Sequence, residues 1–168
     1  MNTILKSLTM KNLLLLIILG GAFNSYSQEA AKIKQIDSLV KVINNNSTLN
    51  THTDSITHDV PAIGFLMKTY LTVVTDAGQL KKYVNYSLGT QIVNSVSKRT
   101  TTSSSFYFDK DKLIKVEEFI IEDDKENHAD WYYTDDKPLY YTVKNDRSEE
   151  RAILLLDMSR NMLKLIHR

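Results

Sequence analysis

The densest run of chemically versatile side chains lies between residues 117 and 130: Glu117-Glu118, Glu122-Asp123-Asp124, Glu126, His128 and Asp130. Carboxylates at this density suit calcium, which takes about six to eight oxygen ligands. The spacing lacks the central glycine and terminal glutamate of an EF-hand loop, however, and Lys125 interrupts it. The expectation is therefore a solvated hairpin tip that discourages edge pairing, with no metal and no cofactor. His128 and Asp130 stand two apart, so on a strand they project from one face. Such a pair can orient an imidazole for acid–base work, which defines one enzymatic alternative: a small hydrolase or metal-assisted enzyme using His128 and nearby carboxylates. No second histidine is close, since His52 and His58 fall in a polar stretch and His167 is next to the last residue. There is no G-x-S-x-G elbow, no phosphate-binding glycine loop and no cysteine, so no residue is assigned as catalytic.

Aromatic clusters are the stronger lead: Phe106-Tyr107-Phe108, Trp131-Tyr132-Tyr133 and Tyr140-Tyr141. Alternation on a strand puts Ala129, Trp131 and Tyr133 on one face and His128, Asp130, Tyr132 and Thr134 on the other. A solvent-facing row of Tyr107, Tyr132 and Tyr140, with His128 and Asp130 beside it, is the candidate binding surface for a protein or other extracellular ligand. The alternative is cross-strand aromatic packing that only stabilises the sheet.

The elements that must carry these residues read as α+β. Ile33, Ile36, Val40 and Ile43 recur at helical spacing over 29–43, and Asn44-Asn45-Asn46 ends the helix. Residues 44–60, rich in Asn, Thr, Ser and Asp, read as a polar loop or linker. Strands follow at 70–75 and 79–86 around a three-residue Asp76-Ala77-Gly78 loop, then through the Thr/Ser-rich run to Phe108, and at 113–121, 128–134 and 139–143. The segments at Val74–Leu80, Tyr107–Leu113 and Tyr132–Leu139 echo one another as strand, acidic turn and leucine, the last one residue longer. Asp146 and Glu149 fit a D-x-x-E capping box opening a last helix, whose apolar stripe holds Ile153, Leu156 and Leu163, widened by Ala152, Leu155, Met162 and Ile166. The expected architecture is an antiparallel meander of five or six strands with an N-terminal and a C-terminal helix packed on it.

At the start of the chain, Lys6 and Lys11 precede Leu13-Leu14-Leu15-Leu16-Ile17-Ile18-Leu19, and small Ser25 and Ser27 occupy the −3 and −1 positions before Gln28. This is the pattern of a secretory signal peptide over 1–27, cleaved between Ser27 and Gln28, ahead of a single domain over 28–168. The apolar run is shorter than the roughly 20 residues a membrane span needs. Met10 offers a more compact start than Met1. Gln28 stands where a lipoprotein has cysteine, so no membrane anchor is expected after cleavage. The ending Ser25-Tyr26-Ser27-Gln28 resembles that of small exported proteins of the Bacteroidota, a likeness confined to the signal.

A chain of 168 residues with 21 basic and 20 acidic side chains lacks the basic footprint of a nucleic-acid binder. With no cysteine it has no disulfides to rely on in an oxidising compartment. The sequence points to an exported, periplasmic, non-enzymatic binding module, with a structural envelope protein as a further alternative.

Overall fold

The computed structural model describes residues 27–93, 96–122 and 125–166. The chain divides into two compact units, Met1–Asp37 and Ser38–Arg168. In the first, residues 27–37 are helical and Ile36 is buried. The helix, α1, continues into the second unit and ends at residue 45. The expected signal peptide lies outside the described residues except for Ser27, which is helical.

The second unit holds one antiparallel sheet of seven strands in sequential order. They are β1 (Asn50–Val60), β2 (Phe65–Asp76), β3 (Gln79–Val93), β4 (Val96–Asp109), β5 (Lys112–Glu122), β6 (Lys125–Thr134) and β7 (Lys137–Tyr141), followed by helix α2 (Ser148–Ile166). The α+β class and the meander hold, and the strand count of five or six is corrected to seven. The added strand is β1, in the stretch expected to be a polar loop. All of its residues are exposed, so nothing in its hydropathy marks it as structured. Its order comes from backbone pairing with β2 over its whole length and from β-branched Thr51, Thr53, Ile56, Thr57 and Val60. The connection from α1 is short, with Asn46 Oδ1 accepting from the Thr48 backbone (3.0 Å) and hydroxyl (2.8 Å).

Three hairpins share one construction. The turns Ala77-Gly78, Lys110-Asp111 and Asp135-Asp136 are two residues long, each with both φ values positive between 47° and 83°. That is the twist a two-residue antiparallel hairpin requires, and it replaces the expected three-residue loop at Asp76-Ala77-Gly78. In each, the register slips at the same offset, between Val74 and Thr75, Tyr107 and Phe108, and Tyr132 and Tyr133. Lys81, Ile114 and Leu139 are the unpaired bulge residues. The structural echo therefore aligns Leu80, Leu113 and Pro138 without an insertion, and Pro138 falls in the short outer strand β7.

The core occupies the half of the sheet nearest these turns. Leu80, Phe106, Phe108, Leu113, Val116, Trp131 and Tyr133 pack with Ala152, Leu155 and Leu156 of α2. The α2 stripe runs Ala152, Leu155, Leu156, Ser159, and Ile153 lies outside it, 48% exposed. Ser159 is buried with its hydroxyl donating to the Leu156 carbonyl at 2.7 Å, a small side chain on the packed face. The Tyr133 hydroxyl donates to the Ala152 carbonyl at 3.0 Å, and Arg151 forks onto Glu118 of β5, its Nε at 3.2 Å from Oε2. The expected capping box does not form. Asn145 organises this end instead, its Oδ1 accepting from the Arg147 N–H at 3.0 Å, while the Ser148 hydroxyl donates to the Val143 carbonyl at 2.8 Å. On the opposite sheet face, the last turn of α1 supplies Asn44 to Tyr107 and Lys82.

Candidate functional site

The common bulge offset has a geometric product. Val74, Lys82, Tyr107, Lys115, Tyr132 and Tyr140 lie directly opposite one another in succession, forming one row across six strands. All project from the face opposite α2. Cations alternate with rings along it: Lys82 Nζ is 4.9 Å from the Tyr107 centroid, and Lys115 Nζ is 4.8 Å from that of Tyr132. Tyr132 and Tyr140 follow at 6.0 Å between centroids.

The neighbouring row supplies carboxylates, with Glu117 opposite Asp130. Lys115 Nζ reaches Glu117 Oε1 at 3.0 Å and Asp130 Oδ2 at 3.3 Å. The Tyr107 hydroxyl donates to Glu117 Oε2 at 2.8 Å and accepts from the Asn44 amide at 3.3 Å, while Asn44 Oδ1 accepts from Lys82 Nζ at 2.8 Å. Burial pushes the Tyr107 phenol up to about 12, with the Asn44 hydrogen bond opposing and Glu117 reinforcing the shift. Burial also lowers Lys82, with Glu117 acting against it. Tyr107 thus stays protonated at physiological pH. The network fixes side chains and charges in place.

The five residues expected to form a binding surface do share this face. They are not a solvent-facing tyrosine row, because Tyr107 and Tyr132 are buried, at 1% and 5% exposure. Tyr140 is half-buried, and Asp130 turns to Lys115. His128 and Asp130 do not form a dyad. The imidazole Nε2 contacts Glu126 Oε1, and the ring lies 4.7 Å from Phe119. The acidic cluster is also divided: strand alternation sends Glu117 to Lys115 and Glu118 to Arg151 on opposite faces. Asp123 and Asp124 lie outside the described residues. Among the described residues no group of three or more His, Asp or Glu side chains has the arrangement to hold a metal.

A second row, farther from the turns on the same face, joins His128 to residues the sequence left unmarked. Tyr70, Tyr86, Ser103, Phe119 and His128 are successive cross-strand partners on β2 to β6. Tyr70 and Tyr86 lie 6.2 Å apart. Small Ser103 separates this pair from Phe119 and His128, so Tyr86 and Phe119 stand about 10 Å apart across two strand spacings. By register the row reads as a slot, the two aromatic pairs its walls and Ser103 its floor. Leu66 and Leu88 extend the face outward, 47% and 41% exposed. The signal for this row was register: it appears only once strands of unequal length are aligned by their turns. On the other face a shallow trough of about 220 Å³ runs along Phe65, Met67, Ser87, Gly89, Thr100 and Thr102.

Comparison with protein-family models, with curated proteins and with solved structures returned no match.

Proposed function

We propose that the protein is an exported, non-enzymatic binding module of the periplasm, synthesised with a signal peptide over 1–27, whose sheet face recognises a protein ligand. The observation that supports this reading is the aromatic slot of Tyr70, Tyr86, Phe119 and His128, with exposed Leu88 beside Tyr86 and exposed Leu66 beyond Lys68, whose ammonium lies over the Tyr70 ring. Contiguous exposed apolar surface, as distinct from apolar side chains exposed singly, marks interaction sites. Rigid rings beside hydroxyls suit recognition, because they contribute area at low entropic cost. The buried Lys–Tyr row beneath the turns acts as the foundation that fixes the strands carrying the slot. In this reading the binding residues are Tyr86, Phe119 and His128, with Tyr107, Tyr132 and Asp130 holding the sheet.

The test has two arms. N-terminal sequencing of the protein from a periplasmic fraction is expected to begin at Gln28. A photo-crosslinking residue at position 86 or 119 is expected to capture one discrete envelope protein, and the same group at exposed Glu149 none. Tyr86→Ala and Phe119→Ala should each abolish the capture with the fold intact by circular dichroism. Equal labelling from position 149, or capture undiminished by either alanine, overturns the reading.

A further inference from the structure

Among the described residues strand β1 has one neighbour, and its other edge is open along eleven residues without a proline or a lysine. Native sheets ordinarily blunt such an edge with those residues. The Ser55 N–H donates to the Asp54 carboxylate at 2.8 Å rather than to β2. The main-chain groups of Ser55, and by alternation those of Thr53, Thr57 and Asp59, therefore point outward. Ile56 turns its own groups toward β2, where it faces Thr69, and its side chain is 46% exposed.

We propose that β1 pairs with β1 of a second copy of this chain, antiparallel about a two-fold axis through Ile56, to make a continuous sheet. The strand is self-complementary in that register. Asp54 falls opposite His58 of the second copy, and His58 opposite its Asp54, one such pair on each side of the axis. Ile56 meets Ile56 on the axis itself. As a pair without mutual main-chain bonds it brings the two side chains closest, with Cα atoms about 4.5 Å apart. Ser55 and Thr57 then exchange the outward hydrogen bonds, and Thr53 faces Asp59. Centring instead on Ser55 sets His52 against His58 and Asp54 against Ile56, losing both the Asp54–His58 pairing and the apolar contact. Centring on Thr53 pairs His52 with Asp54 but overlaps fewer residues and leaves Ile56 opposite Asn50. The Asp54 contact to Ser55 caps the edge locally, and it is released as His58 of the second copy takes the carboxylate. The axis stands perpendicular to the sheet, so the two aromatic slots fall on one side of the dimer.

The absence of cysteine makes the test clean. Sedimentation of the intact protein is expected to show a concentration-dependent monomer–dimer equilibrium. Ile56→Cys under mild oxidant should give a disulfide-linked dimer, since the pair distance suits a disulfide. Val60→Cys should not, because two copies of that position lie about 27 Å apart in this register. His58→Asp, which sets carboxylate against carboxylate, should weaken association about tenfold or more. Adding Asp54→His to it restores the pairing and should restore the dimer. All these positions are exposed, and circular dichroism checks that each variant folds. A protein monomeric at every concentration, equal cross-linking at positions 56 and 60, or a charge swap that fails to rescue would each overturn the proposal. None of these results depends on the aromatic slot.

Discussion

Lys115 and Tyr132 stand directly opposite one another on β5 and β6, the ammonium 4.8 Å from the ring centroid and the lysine side chain 7% exposed. A lysine is rarely so buried unless its charge is matched. Here the match is double, since Glu117 and Asp130 approach the same nitrogen from neighbouring positions on the face. The pairing fixes β5 against β6 beneath the aromatic slot and sets two carboxylates side by side that would repel without it.

Lys115→Met keeps the aliphatic stem and deletes the charge, leaving Glu117 and Asp130 opposed. Both carboxylates are more than a third exposed, so water offsets part of the loss. The expected cost is about 1–3 kcal/mol, read from urea unfolding. Adding Asp130→Asn to that variant should recover part of it by removing the repulsion. A Lys115→Met protein as stable as the parent would mean that the ammonium contributes nothing net to folding.

How much of this was written in the sequence differs by element. The turns at Lys110-Asp111 and Asp135-Asp136 were legible because acidic residues between apolar runs tolerate positive φ. The faces of β6 were legible too, since alternation separates Trp131 and Tyr133 from His128, Asp130 and Tyr132. Strand β1 was not, because all of its residues are exposed, so no apolar face accompanied its β-branched side chains to separate it from a polar loop. Nor was the burial of Tyr107 and Tyr132: alternation tells which residues share a face, not which part of that face is covered. The row of Tyr70, Tyr86, Phe119 and His128 needed the bulges, each of which moves the pairing by one residue.

Three phenols with raised pKa values, those of Tyr83, Tyr107 and Tyr133, predict alkaline behaviour, and burial is the leading cause in each. Tyr107 rises from 10.0 to about 12, chiefly through burial. Tyr133 rises further, through burial first and Glu118 second, with Arg151 opposing. In each the folded state favours the neutral phenol, so this contribution to stability is complete below pH 10, the unfolded value, and is lost as pH rises through the folded values. Lys82 acts in the opposite sense, because burial disfavours its charge and deprotonation relieves that cost. With three phenols against one amine, stability should fall above about pH 10. Denaturant unfolding at stepped pH measures the slope. Tyr133→Phe should lower stability at neutral pH by about 1 kcal/mol, through the lost bond to the Ala152 carbonyl, and flatten the alkaline slope. An unchanged slope in that variant would remove Tyr133 as its source.

Gly64 carries the sharpest backbone requirement outside the hairpin turns. It follows the single helical turn Pro61–Ile63 between β1 and β2 and adopts φ 59° and ψ 35°, the left-handed region. Its N–H donates to the Pro61 carbonyl and its own carbonyl accepts from the Ile92 N–H, both at 3.1 Å. A side chain there meets two separate penalties. The left-handed conformation costs a non-glycine residue about 1 kcal/mol. An added Cβ would also stand 3.0 Å from the Cβ of Ile92, tighter than carbon atoms tolerate. Gly64→Ala should therefore destabilise by about 1–2 kcal/mol, while Gly64→Ala with Ile92→Ala still leaves a β-carbon in the contact and should recover little. Ile92→Gly in the same background removes that carbon, so comparing its effect with that of Ile92→Gly alone isolates the contact. If the double-mutant cycle shows no coupling, the strain at Gly64 is conformational alone. A coupling of several tenths of a kcal/mol or more assigns the remainder to the packing of β3 against the β1–β2 connection.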